Sequence, residues 1–425
     1  MNRLVNFTRK NLLSRFPSGI WLMMALDGCV VISFSLALPF LSLYLHTERG
    51  LSMTLVGLIF LVGGICSGLT SIAGGMVSDR IGRRKTILTI SLVSIFTNIF
   101  LGLLVLNHAG IWFIAIIYVL TRSIVGILTP AVYAVVADIT PKERLTEAYA
   151  VVRIGGNIGF ALGPAIGGYL LGLISYGYLF MLAGSVFALM IVLSYFFLKE
   201  TFLPGPGENG GFFSAGNFFK DGVFLSFTVL NIMLIISMAH MGSTLSIFSI
   251  DKLGFSTLQY GFLLTLNGII VVLIQYPVAF GVNRLSKRTG LVLGSLFYVI
   301  GYSTLAWFNT FNQLLLMILI ITIGEVIFSP VSSAVVAELA PGQQRGRYMG
   351  LFSLGQTIGF SFAPLFGGVL LDRFSARPPL LWGIIAASGL LTSLGFLVWG
   401  RIAMHKKAYA AQSAGRDIDL NTPSQ

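Results

Sequence analysis

The segment that begins at Pro141 is written again at Pro341. The first copy reads PKERLTEAYAVVRIGGNIGFALGPAIGGYLL and the second PGQQRGRYMGLFSLGQTIGFSFAPLFGGVLL. Ile158, Gly159, Phe160, Pro164, Gly167 and Gly168 therefore recur as Ile358, Gly359, Phe360, Pro364, Gly367 and Gly368. A period of about 200 residues is far too long for a stacked solenoid. Both copies lie in glycine-rich apolar stretches, which predicts a membrane protein built from two six-helix halves. Most chains of that design are transporters.

Apolar residues make up 56% of the chain and charged ones only 10%, against roughly 25% charge in a soluble protein. Mean hydropathy is +0.89. A bilayer core takes about 20 apolar residues per helix. Twelve such runs are present, near 20–46, 53–78, 86–106, 111–137, 146–172, 175–198, 222–250, 256–283, 289–308, 312–337, 346–371 and 378–401. They divide the chain into a basic amino-terminal segment (1–19), a first half (20–198), a Gly- and Pro-rich linker (199–221), a second half (222–401) and a polar tail (402–425) that is expected to be disordered.

Lys and Arg gather on the cytoplasmic side of membrane proteins. With both termini placed inside, only Arg49, Lys252, Arg373 and Arg377 of the 27 basic residues fall outside, and Arg122 falls within a helix. The net charge of +12 then reads as a topology signal and a contact with anionic lipid, not as a nucleic-acid surface. The segment MNRLVNFTRKNLLSRF alternates basic and apolar residues, as either a helix on the inner leaflet or a basic tail would. The first apolar run is too long for a signal-peptide core and no cleavage site follows it, so it stays as helix 1. Cys29 and Cys66 lie in apolar runs and read as small packing residues. No metal cluster, nucleotide loop or nucleophile constellation is visible, so neither an enzyme nor a cofactor is expected.

Between helices 2 and 3 the chain reads GGMVSDRIGRRKTI. Gly75 permits close helix contact, Asp79 puts a negative charge at the inner surface, and the basic cluster faces anionic headgroups. The string resembles the signature loop of the major facilitator superfamily, G-x-x-x-D-R-x-G-R-R/K-R/K, with Gly75, Asp79, Arg80, Gly82, Arg83, Arg84 and Lys85 in matching positions. The resemblance implies an all-α membrane fold, twelve transmembrane helices in two pseudo-symmetric bundles, in a bacterial-type inner membrane. It also implies that Asp79, near the amino-terminal end of helix 11, latches the halves on the cytoplasmic side when the cavity opens outward. The second half keeps a degraded echo, GVNRLSKRTG, with Asn283 in place of the aspartate and Arg284, Lys287 and Arg288 retained.

Helix 5 holds Gly159, Gly163, Pro164, Gly167 and Gly168, a complete G-x-x-x-G-P-x-x-G-G. Small residues at this spacing let backbones touch, and Pro164 frees a carbonyl one turn earlier, which predicts a bend. The string resembles the hallmark of the drug:proton antiporter branch of the same superfamily, where it lines the contact between halves. Ordinary close packing would explain the glycines equally well. The copy in helix 11 has Ala363 for the central glycine.

Charges inside membrane helices are costly and are functional candidates by default. Arg122 in helix 4 lies about 16 Å deep at about 1.5 Å per residue. TRSIVG resembles the helix-4 motif R-x-x-q-G, associated with proton coupling, although Val125 replaces the glutamine; a structural role remains open. Glu325 is at mid-membrane in helix 10, and low dielectric disfavours a charged carboxylate, which suits a proton carrier. The flanking IGEVIFSP resembles bacterial drug-exporter-like facilitators with a glutamate at this place. The alternative is a static salt bridge to Arg122. Asp27 in helix 1 reads as a second proton site, a counter-charge to Arg122, or an ionised residue at the cavity lip. Asp138 and Glu338, at the cytoplasmic ends of helices 4 and 10, read as gate or capping charges with Arg153, Arg345 and Arg347 close by.

Asn157, Asn231, His240, Asn267, Gln275 and Gln356 are candidates to line a cavity, with His240 equally readable as a packing residue. A large, mostly apolar cavity with few charges suits lipophilic molecules, neutral or cationic, better than sugar phosphates or dicarboxylates. The expectation is therefore a monomeric, proton-driven exporter of the multidrug type that works by alternating access, with membrane lipid as its surroundings and no nucleic-acid partner. Proton symport or facilitated uptake of a metabolite, lipid translocation, and a non-transporting receptor are the alternatives.

Overall fold

A computed structural model describes residues 16–141, 144–201, 221–282, 285–340 and 345–419. The basic segment before Phe16, most of the linker, Asn283 and Arg284 of the degraded echo, and the last six residues lie outside the described residues, as do the side chains of Arg345 and Arg347. The chain is helical throughout its described length. In order the helices are α1 (Ser18–Glu48), α2 (Met53–Ile81), α3 (Arg83–Leu106), α4 (Ile111–Ile139), α5 (Leu145–Leu170), α6 (Tyr176–Phe197), α7 (Gly222–Lys252), α8 (Thr257–Val282), α9 (Lys287–Thr304), α10 (Phe311–Leu339), α11 (Arg345–Phe374) and α12 (Pro378–Asp419). Among the described residues ten of them are long and apolar enough to cross a membrane. The other two are α5, diluted by glycines, Asn157 and Arg153, and α9, which opens on Lys287 and Arg288.

The helices depart from the expected runs at three places. Pro130 offers no amide to the carbonyl of Gly126, and α4 is interrupted at Ile127 between Ile111–Gly126 and Leu128–Ile139. A tight turn at His240–Gly242 interrupts α7. The last helix does not stop near Arg401: it continues to Asp419, where the expectation was a disordered tail. Residues 402–414 are Ala, Lys, Gln and other good helix formers with no Gly or Pro to end the helix.

The repeat splits each of its two helices into two faces. On α5, Gly155, Gly159, Gly163 and Gly167 form a stripe at i, i+4 spacing against α1. A Cβ at Gly159 would lie 2.7 Å from the Gly28 carbonyl oxygen, and one at Gly163 2.9 Å from the Leu36 amide. On α11, Gly355, Gly359 and Gly367 form the matching stripe against α7, with Gly359 meeting Ile235 and Gly367 meeting His240. Ala363, buried, fills the fourth place. The complementary face joins the halves. On α5, Ala161, Pro164 and Gly168 meet Gly268, Gly261 and Thr257 of α8; on α11, Ser361, Pro364 and Gly368 meet Gly64, Gly57 and Met53 of α2. Thr265 of α8 also donates to the Ala161 carbonyl at 2.8 Å. The same three repeat positions therefore make both inter-half seams.

Those seams are one-sided. Every contact just named lies in the half of the membrane remote from the basic face, where the α2–α3 loop and the described chain ends sit. Toward the basic face α2 and α11 separate: Gly68 still touches Thr357 (3.7 Å from an ideal Cβ), and Gly75 has nothing within 4 Å among the described residues. The sequence assigned close helix contact to Gly75; the neighbouring Gly74 makes it instead, 2.8 Å from the Ile127 backbone where α4 is interrupted. Among the described residues the halves meet at the opposite face, and α2 and α11 part toward the basic one.

Candidate functional site

Close packing between α1 and α5 brings the carboxylate of Asp27 against the α5 backbone. A Cβ at Gly156 would sit 2.7 Å from Asp27 Oδ2. One turn earlier on α5, Arg153 reaches across the gap between the halves, and its Nη2 donates to Ser329 Oγ of α10 at 3.3 Å. One turn earlier on α10 is Glu325. Its Oε2 accepts from Asn267 Nδ2 of α8 at 3.0 Å, and the same Asn267 group lies 2.9 Å from Thr322 Oγ1. Asp27, nine residues from the start of α1, is about 14 Å deep; Ser329, ten residues from the end of α10, is about 15 Å deep. The guanidinium of Arg153 is within electrostatic reach of both Asp27 and Glu325. Asp27 and Glu325 thus come from opposite halves to similar depths, with Arg153 bonded to Ser329 rather than ion-paired to either acid among the described residues.

Arg153 is the residue that the sequence misassigned. The sequence places it, with Arg345 and Arg347, close by the gate or capping charges Asp138 and Glu338. In the structure Asp138 instead accepts from Arg83 Nε (3.3 Å) and Thr201 Oγ1 (2.9 Å), and Glu338 pairs with Lys287. Arg122 does not form the salt bridge considered for it. Its guanidinium stacks on Phe34, 4.4 Å from the ring centroid, beside a cavity of about 40 Å³ inside the first bundle that Ser33, Asn98 and Thr121 also line.

The signature loop is organised around Arg83. Gly82, at φ 100°, breaks the chain between α2 and α3. Arg83 pairs with Asp79, donates to Ser78 Oγ at 2.6 Å, and its backbone amide donates to Glu200 at 2.8 Å. Arg84 donates to the Tyr195 carbonyl at 2.7 Å, and Arg80 is exposed. Asp79, 57% exposed, has Arg83 of its own loop as its partner among the described residues rather than α11. At the far end of the same helix pair the geometry is reversed. Asp372, near the end of α11, accepts from the Met53 and Thr54 amides of α2 at 2.8 and 2.7 Å and from Thr54 Oγ1 at 2.6 Å. A carboxylate on a helix amino terminus is a favourable charge–dipole contact. Nothing in the sequence motif singled out Asp372.

Of the polar candidates, Asn267 joins the site directly. Asn157, Gln275 and Gln356 are half-buried on α5, α8 and α11, the helices of the inter-half seams. Asn231 and His240 are buried in the second bundle, the latter bonded to Thr244 (2.8 Å) and packed on Tyr302 and Phe366. Of the G-x-x-x-G-P-x-x-G-G string only Pro164 and Gly168 touch the other half, so the expected inter-half role of Gly159, Gly163 and Gly167 is corrected to packing within the first half.

The fold has known counterparts. A model of the Major Facilitator Superfamily matches residues 23–325 and 230–417. The chain is 27% identical over 351 residues to the MFS-type transporter YttB of Bacillus subtilis (strain 168), covering 81% of this chain and 86% of that one. It is also 27% identical over 354 residues to Multidrug resistance protein 2 of the same organism, covering 80% and 86%. A crystal structure of a POT family transporter in complex with a thioalcohol-conjugated peptide superposes with a TM-score of 0.74 at 15% identity, over 91% of this chain and 96% of that chain. With the family model matched along nearly the whole length and the twin-bundle architecture in place, this multi-pass integral protein of the inner membrane belongs to the Major Facilitator Superfamily.

Proposed function

We propose that the chain exports lipophilic small molecules, cationic or neutral, in exchange for protons, with its basic face in the cytoplasm. Its relatives are transporters, so secondary transport across the membrane is the frame, and one of them bears a multidrug-resistance name. The observation that carries the finer reading is the set of charges inside the membrane helices: two carboxylates, Asp27 packed on Gly156 and Glu325 held by Asn267, and one guanidinium, Arg153, on Ser329. One negative charge is left over. Either a proton or a substrate cation can neutralise it, and both at once are disfavoured, which is the requirement for exchange. Glu325 is the better proton carrier of the two, since Asn267 holds it from the second half and rocking of the halves carries it relative to Asp27. The seams at the opposite face and the gap at the basic face support a cytoplasm-open state that loads substrate from inside.

Efflux of tetraphenylphosphonium from proteoliposomes under an imposed pH gradient tests this reading. Movement of the cation against the direction of proton entry supports it. Movement of the cation together with protons points to symport, and transport of lipid but not of the cation points to a lipid translocator.

A further inference from the structure

Arg122 is a membrane-embedded charge that proton–cation exchange leaves unused. Its guanidinium stacks on Phe34, 4.4 Å from the ring centroid, and among the described residues it has no hydrogen bond or ion pair. The mid-membrane acids are engaged elsewhere. Asp27, on the same helix as Phe34, packs on Gly156 about two turns away, and Glu325 is held by Asn267 in the other half. A ring face offsets only part of the cost of a charge in a low-dielectric interior. The guanidinium therefore calls for a counter-charge that the described side chains do not supply.

Space and donors for one adjoin it. The cavity of about 40 Å³ beside Arg122 is lined from α1, α3, α4 and α6 and by no residue of the second half, and no carboxylate lines it among the described residues. About 10–15 Å³ suffices for one water, so a small ion with a water fits and the carbon frame of an organic cargo does not. The hydroxyls of Ser33 and Thr121 donate to the Ala183 and Ile117 carbonyls, both at 2.8 Å, and turn lone pairs to the cavity. The protons left over are those of Arg122, the second amide proton of Asn98, whose first goes to the Ser94 carbonyl at 2.8 Å, and the hydroxyl of Tyr118, which has no hydrogen bond among the described residues. Gly63 of α2 makes room for Tyr118 and Arg122 side by side: a Cβ there would come 2.8 Å from Tyr118 Cε1 and 3.5 Å from Arg122 Cγ.

We propose that Arg122, Tyr118 and Asn98 hold one small monovalent inorganic anion, such as chloride, inside the first bundle. The anion supplies the counter-charge of Arg122. Because no residue of the second half lines the cavity, the site travels with the first half whichever face is open. It is separate from the cation path proposed above, and its failure leaves the export reading untouched.

Chloride is the probe. The purified protein is titrated with sodium chloride in exchange for sodium gluconate at constant ionic strength, with the melting temperature and the width of the chloride NMR line as readouts. Wild type is expected to show a saturable rise in melting temperature and a broadened line that bromide narrows again. Arg122→Gln is expected to weaken chloride binding by roughly tenfold or more, the loss of a charge-assisted hydrogen bond. Tyr118→Phe keeps the ring packed against Phe60 and removes only the hydroxyl; it is expected to weaken binding severalfold, and it serves if Arg122→Gln does not fold. A wild type with no saturable chloride dependence overturns the proposal and makes the cavity a water site. Binding of unchanged strength in Arg122→Gln, or in Tyr118→Phe where that variant alone folds, places the anion on the basic surface and also overturns it.

Discussion

Asn267 is the side chain that holds Glu325 in place, and its effect can be isolated. A hydrogen bond to a charged group contributes about 1.5–3 kcal/mol, and Asn267 gives one to Glu325. Asn267→Ala is expected to slow proton-driven transport at least fivefold while leaving ethidium binding near wild type; Thr322→Val, which removes only the second contact of Asn267, is expected to have a smaller effect. Transport and equilibrium binding on the same preparations check this. Equal transport by wild type and Asn267→Ala would remove Asn267 from the site. Glu325 and Asp27 were legible in the sequence because a charge inside an apolar run is expensive and stands out. Arg153 was not: it is equally charged, but its position near a run boundary disguised its depth, and only the packing of α5 on α1 shows which way it faces.

At the scale of helices, the two faces of α5 and α11 separate stability from switching. Gly159 lies within the first half and Gly268 on a seam between halves. Gly159→Leu overpacks α1 against α5 and is expected to cost about 1–3 kcal/mol, read as a lower melting temperature in detergent. Gly268→Leu wedges the α5–α8 seam and is expected to leave the melting temperature closer to wild type but to make cysteines introduced on the face opposite the basic one, in a background without Cys29 and Cys66, more reactive to a membrane-impermeant thiol reagent. The reverse pattern would refute the assignment of the two faces. Asp372 belongs to the same device. Losing a carboxylate at a helix amino terminus costs about 1 kcal/mol, so Asp372→Asn is expected to shift the equilibrium about fivefold away from the closed outer face, measured by the same labelling. No change in labelling would show that the Asp372 contact does not hold the seam. The repeat made the twelve helices and the two halves readable, and the motif glycines announced close packing. What the string could not say is which neighbour each glycine meets, because stripes at i, i+4 look alike in sequence whichever helix covers them.

For the whole molecule, the helix pair α2 and α11 bears an aspartate near the end of each helix, Asp79 on the basic face and Asp372 on the opposite one. In this state Asp372 is docked on α2 and Asp79 is paired with Arg83 of its own loop. We propose that closing the basic face while opening the other exchanges those roles, so that neither state sits in a deep energy well. The fold class was legible from apolar runs, basic-residue bias and the signature loop. The open face was not, since the same sequence serves both states. The most direct test of proton-coupled exchange records internal pH and dye content together in proteoliposomes loaded with ethidium, for wild type and Glu325→Gln. The account predicts that in wild type each proton entry accompanies dye exit, and that Glu325→Gln binds dye but couples neither flux to the other. Coupled exchange that persists in Glu325→Gln, or wild-type protons and dye moving in the same direction, would contradict it.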